Sequence, residues 1–163
     1  MKMISTDRIS HRPARFGAAL ALVACLIVPQ TASAAPKSSK GNDIAIAAFK
    51  DVCLASAPTF ATAAAKAKRY GVKDADQQFG GMTEDGSMSV QVKPKKECAV
   101  TSENRSDPTL YAQFLRVIAS SGVDAPQGGK SGKPFVATIK GKRFVFQHDR
   151  RGGEAYVMIS LDN

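Results

Sequence analysis

The sequence predicts an α+β domain with helices packed on an antiparallel sheet of about five strands, in the order helix, helix, strand, strand, helix, strand, strand, strand. Three observations predict it. Apolar residues recur at three-to-four-residue spacing on both sides of Cys53. Strict alternation runs from Ser87 to Lys93 and returns after residue 134. The two cysteines beyond the N-terminal region, Cys53 and Cys98, fall on a helical pattern and a strand pattern, so a disulfide between them would tie the layers together.

Residues 1–34 read as an export signal. Arg8, Arg12 and Arg15 precede an apolar run from Phe16 to Pro29, and Ala32, Ser33 and Ala34 supply small residues for cleavage. The run is short for a membrane span of about 20 residues, so no transmembrane span is expected in the mature chain. Leu22, Val23, Ala24 and Cys25 also spell a lipoprotein box, in which Cys25 would be lipidated; against it, Leu26, Ile27 and Val28 carry the apolar run past that cysteine. The expected location is periplasmic or secreted, with a lipoprotein anchored at Cys25 as the alternative.

Cleavage after Ala34 leaves 19 Lys plus Arg against 13 Asp plus Glu over 129 residues, a formal charge of +6. One domain of that length, 44–163 after a Pro-, Ser- and Lys-rich leader at 35–43, can bury a core without a metal. The positive balance favours anionic partners, although dispersed charge is also simply what keeps a domain soluble.

Asn42 or Asp43 can cap the first helix, whose buried face is Ile46, Phe49, Val52 and Cys53. Pro58 interrupts the pattern and restarts it, with Ser56 as a cap, in a second helix through Phe60, Ala63, Ala64, Ala67 and Tyr70 that Gly71 closes. Residues 72–86 read as a connection anchored by Phe79.

The first strand sets Met88, Val90 and Val92 on one face; Pro94, Lys95 and Lys96 turn it; the return strand, 97–102, carries Cys98 and Val100 inward. A Cys53–Cys98 bridge would close a loop of about 45 residues and be worth roughly 4 kcal/mol of chain entropy. Asp107 and Pro108 start a third helix with Leu110, Phe114, Val117 and Ile118 inward and Gly122 at its end.

Residues 122–133 form a loop. Three strands follow: Phe135, Ala137 and Ile139 share a face, then Phe144, Phe146 and His148, and a last strand from Ala155 to Leu161 is apolar on both faces, which points to a central or covered position.

Most catalytic chemistry is discounted. Gly129, Lys130 and Ser131 match the tail of a phosphate-binding loop, but Asp124 stands where glycine is needed and the element order is reversed. His148 is the only histidine after residue 34; its neighbour Asp149 points to the other face of the strand, so His148 reads as a core-edge residue. No carboxylate pair stands out among Glu84, Asp85, Glu97, Glu103, Asp107 and Glu154. No catalytic, metal or cofactor site is assigned.

Positive residues gather at turns: Lys93, Lys95 and Lys96 on one hairpin; Lys140, Lys142 and Arg143 on another; also Lys130 with Lys133, and Arg150 with Arg151. Two such turns at one end of the sheet would make an anion-binding rim. Exposed interleaved aromatics are missing, which argues against specific nucleic-acid binding.

Phe49, Cys53 and Leu54, the alanine-rich helix ending at Gly71, and Cys98, Ala99 and Val100 before a helix together resemble a group of small exported proteins of Gram-negative bacteria of unknown function. The resemblance covers about residues 45–120. It implies a periplasmic or secreted disulfide-bonded domain and assigns no catalytic residue.

The expected function is a non-enzymatic exported binding module of the bacterial envelope for an anionic component or protein. Alternatives are an inhibitor of a secreted or host hydrolase, acting through residues 122–133 or 149–153, and a small hydrolase using His148 or an acid.

Overall fold

The computed structural model describes residues 42–104, 106–123, 131–149 and 154–161. The export signal, Cys25 and all but the last two residues of the leader lie outside them.

Asp43 Oδ1 accepts the Ala45 N–H at 2.8 Å and starts α1 (Ile44–Ala48). The chain then widens into a π turn, Phe49–Cys53, and tightens into a 3-10 turn, Leu54–Ser56. Ile46, Phe49, Val52 and Cys53 stay on the buried side throughout.

Ser56 caps no second helix. Its hydroxyl bonds back to the carbonyls of Val52 and Cys53, and α2 begins later, at Ala63–Ala67, running into a 3-10 turn at Lys68–Tyr70. Phe60 therefore sits in a turn with φ 57°, not on the helix, yet its ring is buried 5.8 Å from that of Phe144. Gly71, at φ 78°, ends the segment as expected.

The connection 72–86 hides a short strand, β1 (Gly81–Met82), so the sheet has six strands, not five. Gly81 is required there because a Cβ would fall 1.5 Å from the Lys73 carbonyl oxygen. Phe79 anchors nothing, being 88% exposed.

β2 (Met88–Lys93), β3 (Glu97–Ser102), α3 (Leu110–Ala119), β4 (Phe135–Ile139), β5 (Lys142–Asp149) and β6 (Glu154–Ser160) complete the α+β domain. An Asx turn precedes α3, with Asp107 Oδ1 accepting the Thr109 N–H at 2.7 Å. The sheet order is β1-β2-β3-β6-β5-β4, with every described pairing antiparallel.

The inward face is laid out in rows by register. Val92, Cys98, Met158, Phe146 and Phe135 form one row, and Val90, Val100, Tyr156 and His148 the next. The helices cover this face: Phe49 lies 5.2 Å from Phe114, which lies 5.6 Å from Tyr156. β6 is central, as its composition implies, but open on its outer face, where Ile159 is 37% exposed. Among the described residues no helix is long and apolar enough to cross a membrane.

Cys53 and Cys98 are joined, with Cα atoms 5.5 Å apart and a sequence separation of 45. Replacing both by serine should cost about 4 kcal/mol by the loop-closure argument. Urea denaturation of the double variant beside the oxidised protein measures it, and a change under about 1 kcal/mol would contradict that account.

Candidate functional site

In an antiparallel sheet, successive turns alternate between the two ends. β2 runs toward its turn at 94–96, β6 ends beside the start of β3, and β5 starts beside the end of β6. The 94–96 turn, the 140–141 turn and the end of β6 consequently share one end of the sheet. Two backbone bonds tie them: the Ser160 N–H donates to the Lys96 carbonyl at 2.8 Å, and the Leu161 N–H to that of Arg143 at 2.9 Å. Lys93, Lys95, Lys96, Lys140, Lys142 and Arg143 are thus collected at one rim, and all six are exposed.

Their roles there differ. Lys93 pairs with Glu97 at 2.7 Å, and Lys140 Nζ donates to the Ala57 carbonyl at 3.2 Å. The ammonium groups of Lys95, Lys96 and Lys142 bond no described residue. Strand spacing of about 4.8 Å puts the Lys96 and Arg143 backbones roughly 10 Å apart across β6.

Two of these lysines occupy left-handed backbone, Lys95 at φ 62° and Lys140 at φ 48°. The Lys96 N–H donates to the Lys93 carbonyl at 2.9 Å, so Lys95 takes the turn position that glycine or asparagine fills most cheaply. A lysine there costs about 1 kcal/mol.

Beside Lys140 opens a cavity of about 390 Å³ with an apolar floor of Leu54, Ala55, Val123 and Ile139, and with Lys50 and Asp51 at its edge. Asp51 is engaged: its Oδ2 accepts the Tyr70 hydroxyl at 2.6 Å. Burial, and then the Asp51 carboxylate, push the Tyr70 phenol well above its usual range.

Of the residues in the other basic clusters, only Lys133 is described, and it does not join the rim. Lys133 precedes β4 at the opposite end of the sheet, while Lys130, Arg150 and Arg151 lie outside the described residues. So do most of the loop residues, 124–130 and 150–153, to which an inhibitor would owe its contact.

At that opposite end Asp85 accepts from Thr83 Oγ1 at 2.7 Å and from Ser87 Oγ at 2.8 Å. Those bonds, the Thr83 one foremost, hold its carboxyl down at about 2. It closes a tight turn. Among the described residues no three His, Cys, Asp or Glu side chains converge as metal ligands.

Comparison with family models, curated proteins and solved structures returns no match to this chain. Function has to be argued from its own side chains.

One constellation was missed in the sequence. His148 is buried, but it is not a bare core-edge residue: its Nε2 lies 2.7 Å from Oε2 of Glu154, with both side chains at 0% exposure, and its Nδ1 lies 2.6 Å from Ser131 Oγ. His148 stands opposite Tyr156, and Glu154 is two residues back on the same face, a diagonal cross-strand neighbour within reach of a long side chain. The clue in sequence is parity across the β5–β6 hairpin, visible once the last strand starts at Glu154 and not at Ala155.

Replacing His148 by leucine removes the imidazole that lies 2.7 Å from the buried Glu154 carboxylate. The expected loss is about 3–5 kcal/mol, read by urea denaturation, whereas a loss under 1 kcal/mol would mean the contact contributes little to stability.

Proposed function

We propose that the domain is an exported binding module of the bacterial envelope or extracellular space that engages an anionic partner through the basic end of its sheet. The observation that carries this reading is the gathering of two lysine-bearing turns, remote in sequence, at one rim. The left-handed lysines support it, because two turn positions suited to glycine hold cations instead, at a cost in stability. Export is supported by the signal pattern of residues 1–34 and agrees with the Cys53–Cys98 bridge.

Magnitude sets the mode of binding. A lysine close to an anionic surface contributes about 1 kcal/mol, so Lys95, Lys96 and Lys142 together give about 3 kcal/mol. That corresponds to millimolar-range affinity for one contact. The partner is therefore a surface or polymer presenting many negative groups, with the cavity beside Lys140 adding apolar contact.

Co-sedimentation with phosphatidylglycerol vesicles, against phosphatidylcholine vesicles, tests the reading. Binding should appear only with the anionic lipid and fade between about 0.05 and 0.5 M salt as the Debye length contracts. Reversal to glutamate at Lys95, Lys96, Lys142 and Arg143 should abolish it. Lys95→Gly should weaken binding while raising stability by about 0.5 kcal/mol, since glycine relieves the left-handed position. Binding indifferent to the reversals would overturn the proposal.

A further inference from the structure

Ser131, His148 and Glu154 form a line: a half-buried hydroxyl 2.6 Å from one imidazole nitrogen and a buried carboxylate oxygen 2.7 Å from the other. We propose that Ser131 is a nucleophile for acyl transfer, with His148 as its general base and Glu154 as the charge partner that holds the imidazole, so that the domain hydrolyses carboxylic esters at the end of the sheet opposite the basic rim. This site is independent of the anionic surface.

The chemistry needs each part. A serine hydroxyl is a weak nucleophile until a base takes its proton as it attacks, and the base must be stabilised when it becomes cationic. For Ser131 Oγ–H to donate to Nδ1, that nitrogen must be the acceptor, which puts the ring proton on Nε2, the nitrogen 2.7 Å from Glu154 Oε2 but not aligned for a hydrogen bond to it. Glu154 acts by charge at short range, which depends on distance more than on alignment.

The rings of Tyr111, Phe114 and Tyr156, with centroids 5.3, 5.6 and 5.2 Å from the imidazole, exclude water and strengthen that attraction. The two nitrogens exchange the places they have in the familiar serine hydrolase order, but either one can accept a proton.

Position favours the hydroxyl as the working end. His148 and Glu154 are buried and Ser131 Oγ covers Nδ1, so a substrate, its leaving group and water reach that nitrogen only alongside the Ser131 hydroxyl. The Gly132 N–H donates to the His148 carbonyl at 2.5 Å, fixing the serine backbone against the strand that carries its base. A buried polar pair is weak grounds for stability, since apolar residues of similar volume hold a core as well or better. Chemistry at Ser131 gives the pair a reason to be there.

The steps balance. Ser131 Oγ forms a bond to the ester carbonyl carbon as its proton passes to His148 Nδ1. The tetrahedral adduct collapses, the ester C–O bond breaks, and the leaving alcohol takes that proton. Water, deprotonated by the same nitrogen, releases the acid from Ser131. One ester and one water become one acid and one alcohol, with no redox change.

The test is labelling of the oxidised protein with a fluorophosphonate, in which Ser131 Oγ forms a bond to phosphorus, fluoride leaves and the proton goes by way of His148 to solvent. Tryptic mass spectrometry should find one adduct, at Ser131, formed about 100-fold or more faster than at other serines, in line with general-base catalysis. Urea should abolish the selectivity. Ser131→Ala, at a half-exposed position, should fold and lose both the adduct and p-nitrophenyl acetate hydrolysis.

Glu154→Gln should lower the maximal labelling rate at least tenfold without changing the half-saturating probe concentration, a separation that loss of packing alone would not give. Labelling of Ser131 no faster in the folded than in the unfolded chain, or ester hydrolysis unchanged in Ser131→Ala, overturns the proposal and leaves the three residues as a structural anchor of the 131–135 segment.

Discussion

The bond between Cys53 and Cys98 fixes how the two layers meet. Cys53 ends the π turn that continues α1, and Cys98 sits on β3 in the same register row as Val92, Met158 and Phe146. The helical layer is thereby pinned to the sheet near its middle, and the chain between the two sulfurs, which includes α2 and β1, must wrap back onto the hairpin. Small side chains make that return possible: Ala63 and Ala67 are fully buried, and Gly81 meets the Lys73 carbonyl where no other residue would fit. The Phe49, Phe114 and Tyr156 rings then pack across the junction.

A sheet held at its centre has two free ends, and antiparallel connectivity gives them different chemistry. The turns after β2 and β4 rise at one end with the lysines, while the segment before β4, the end of β5 and the start of β6 lie at the other with Ser131, His148 and Glu154. The first end offers exposed cations on solvated turns. The second offers one hydroxyl backed by the buried His148 and Glu154 side chains.

Much of this architecture was legible because period-two alternation fixes which side chains face inward whatever the strand order. Met88, Val90, Val92, Cys98, Val100, Phe144, Phe146 and His148 all lie where alternation puts them. The disulfide was legible because two cysteines in one domain leave one pairing. Strand order was not, so the joining of the two lysine turns stood only as a condition.

Other features failed for local reasons. β1 is two residues among glycines that read as breakers, and Phe60 reaches the core from a left-handed turn that no helical pattern announces. Glu154 was hidden by a strand start placed one residue late and by pairing that acts diagonally, where a search among sequence neighbours finds only Asp149.

The place of β6 bears on how the sheet comes together. It is the last strand in order and lies between β3 and β5, so the β1–β3 meander and the β4–β5 hairpin touch through it alone within the sheet. Until it inserts, each half presents an open row of backbone donors and acceptors, a template for mispairing with other chains. Closure depends on contacts distant in sequence, which form slowly. A chain cut ahead of Glu154 would be left as two sticky fragments, with Cys98 on the bare flank of one of them.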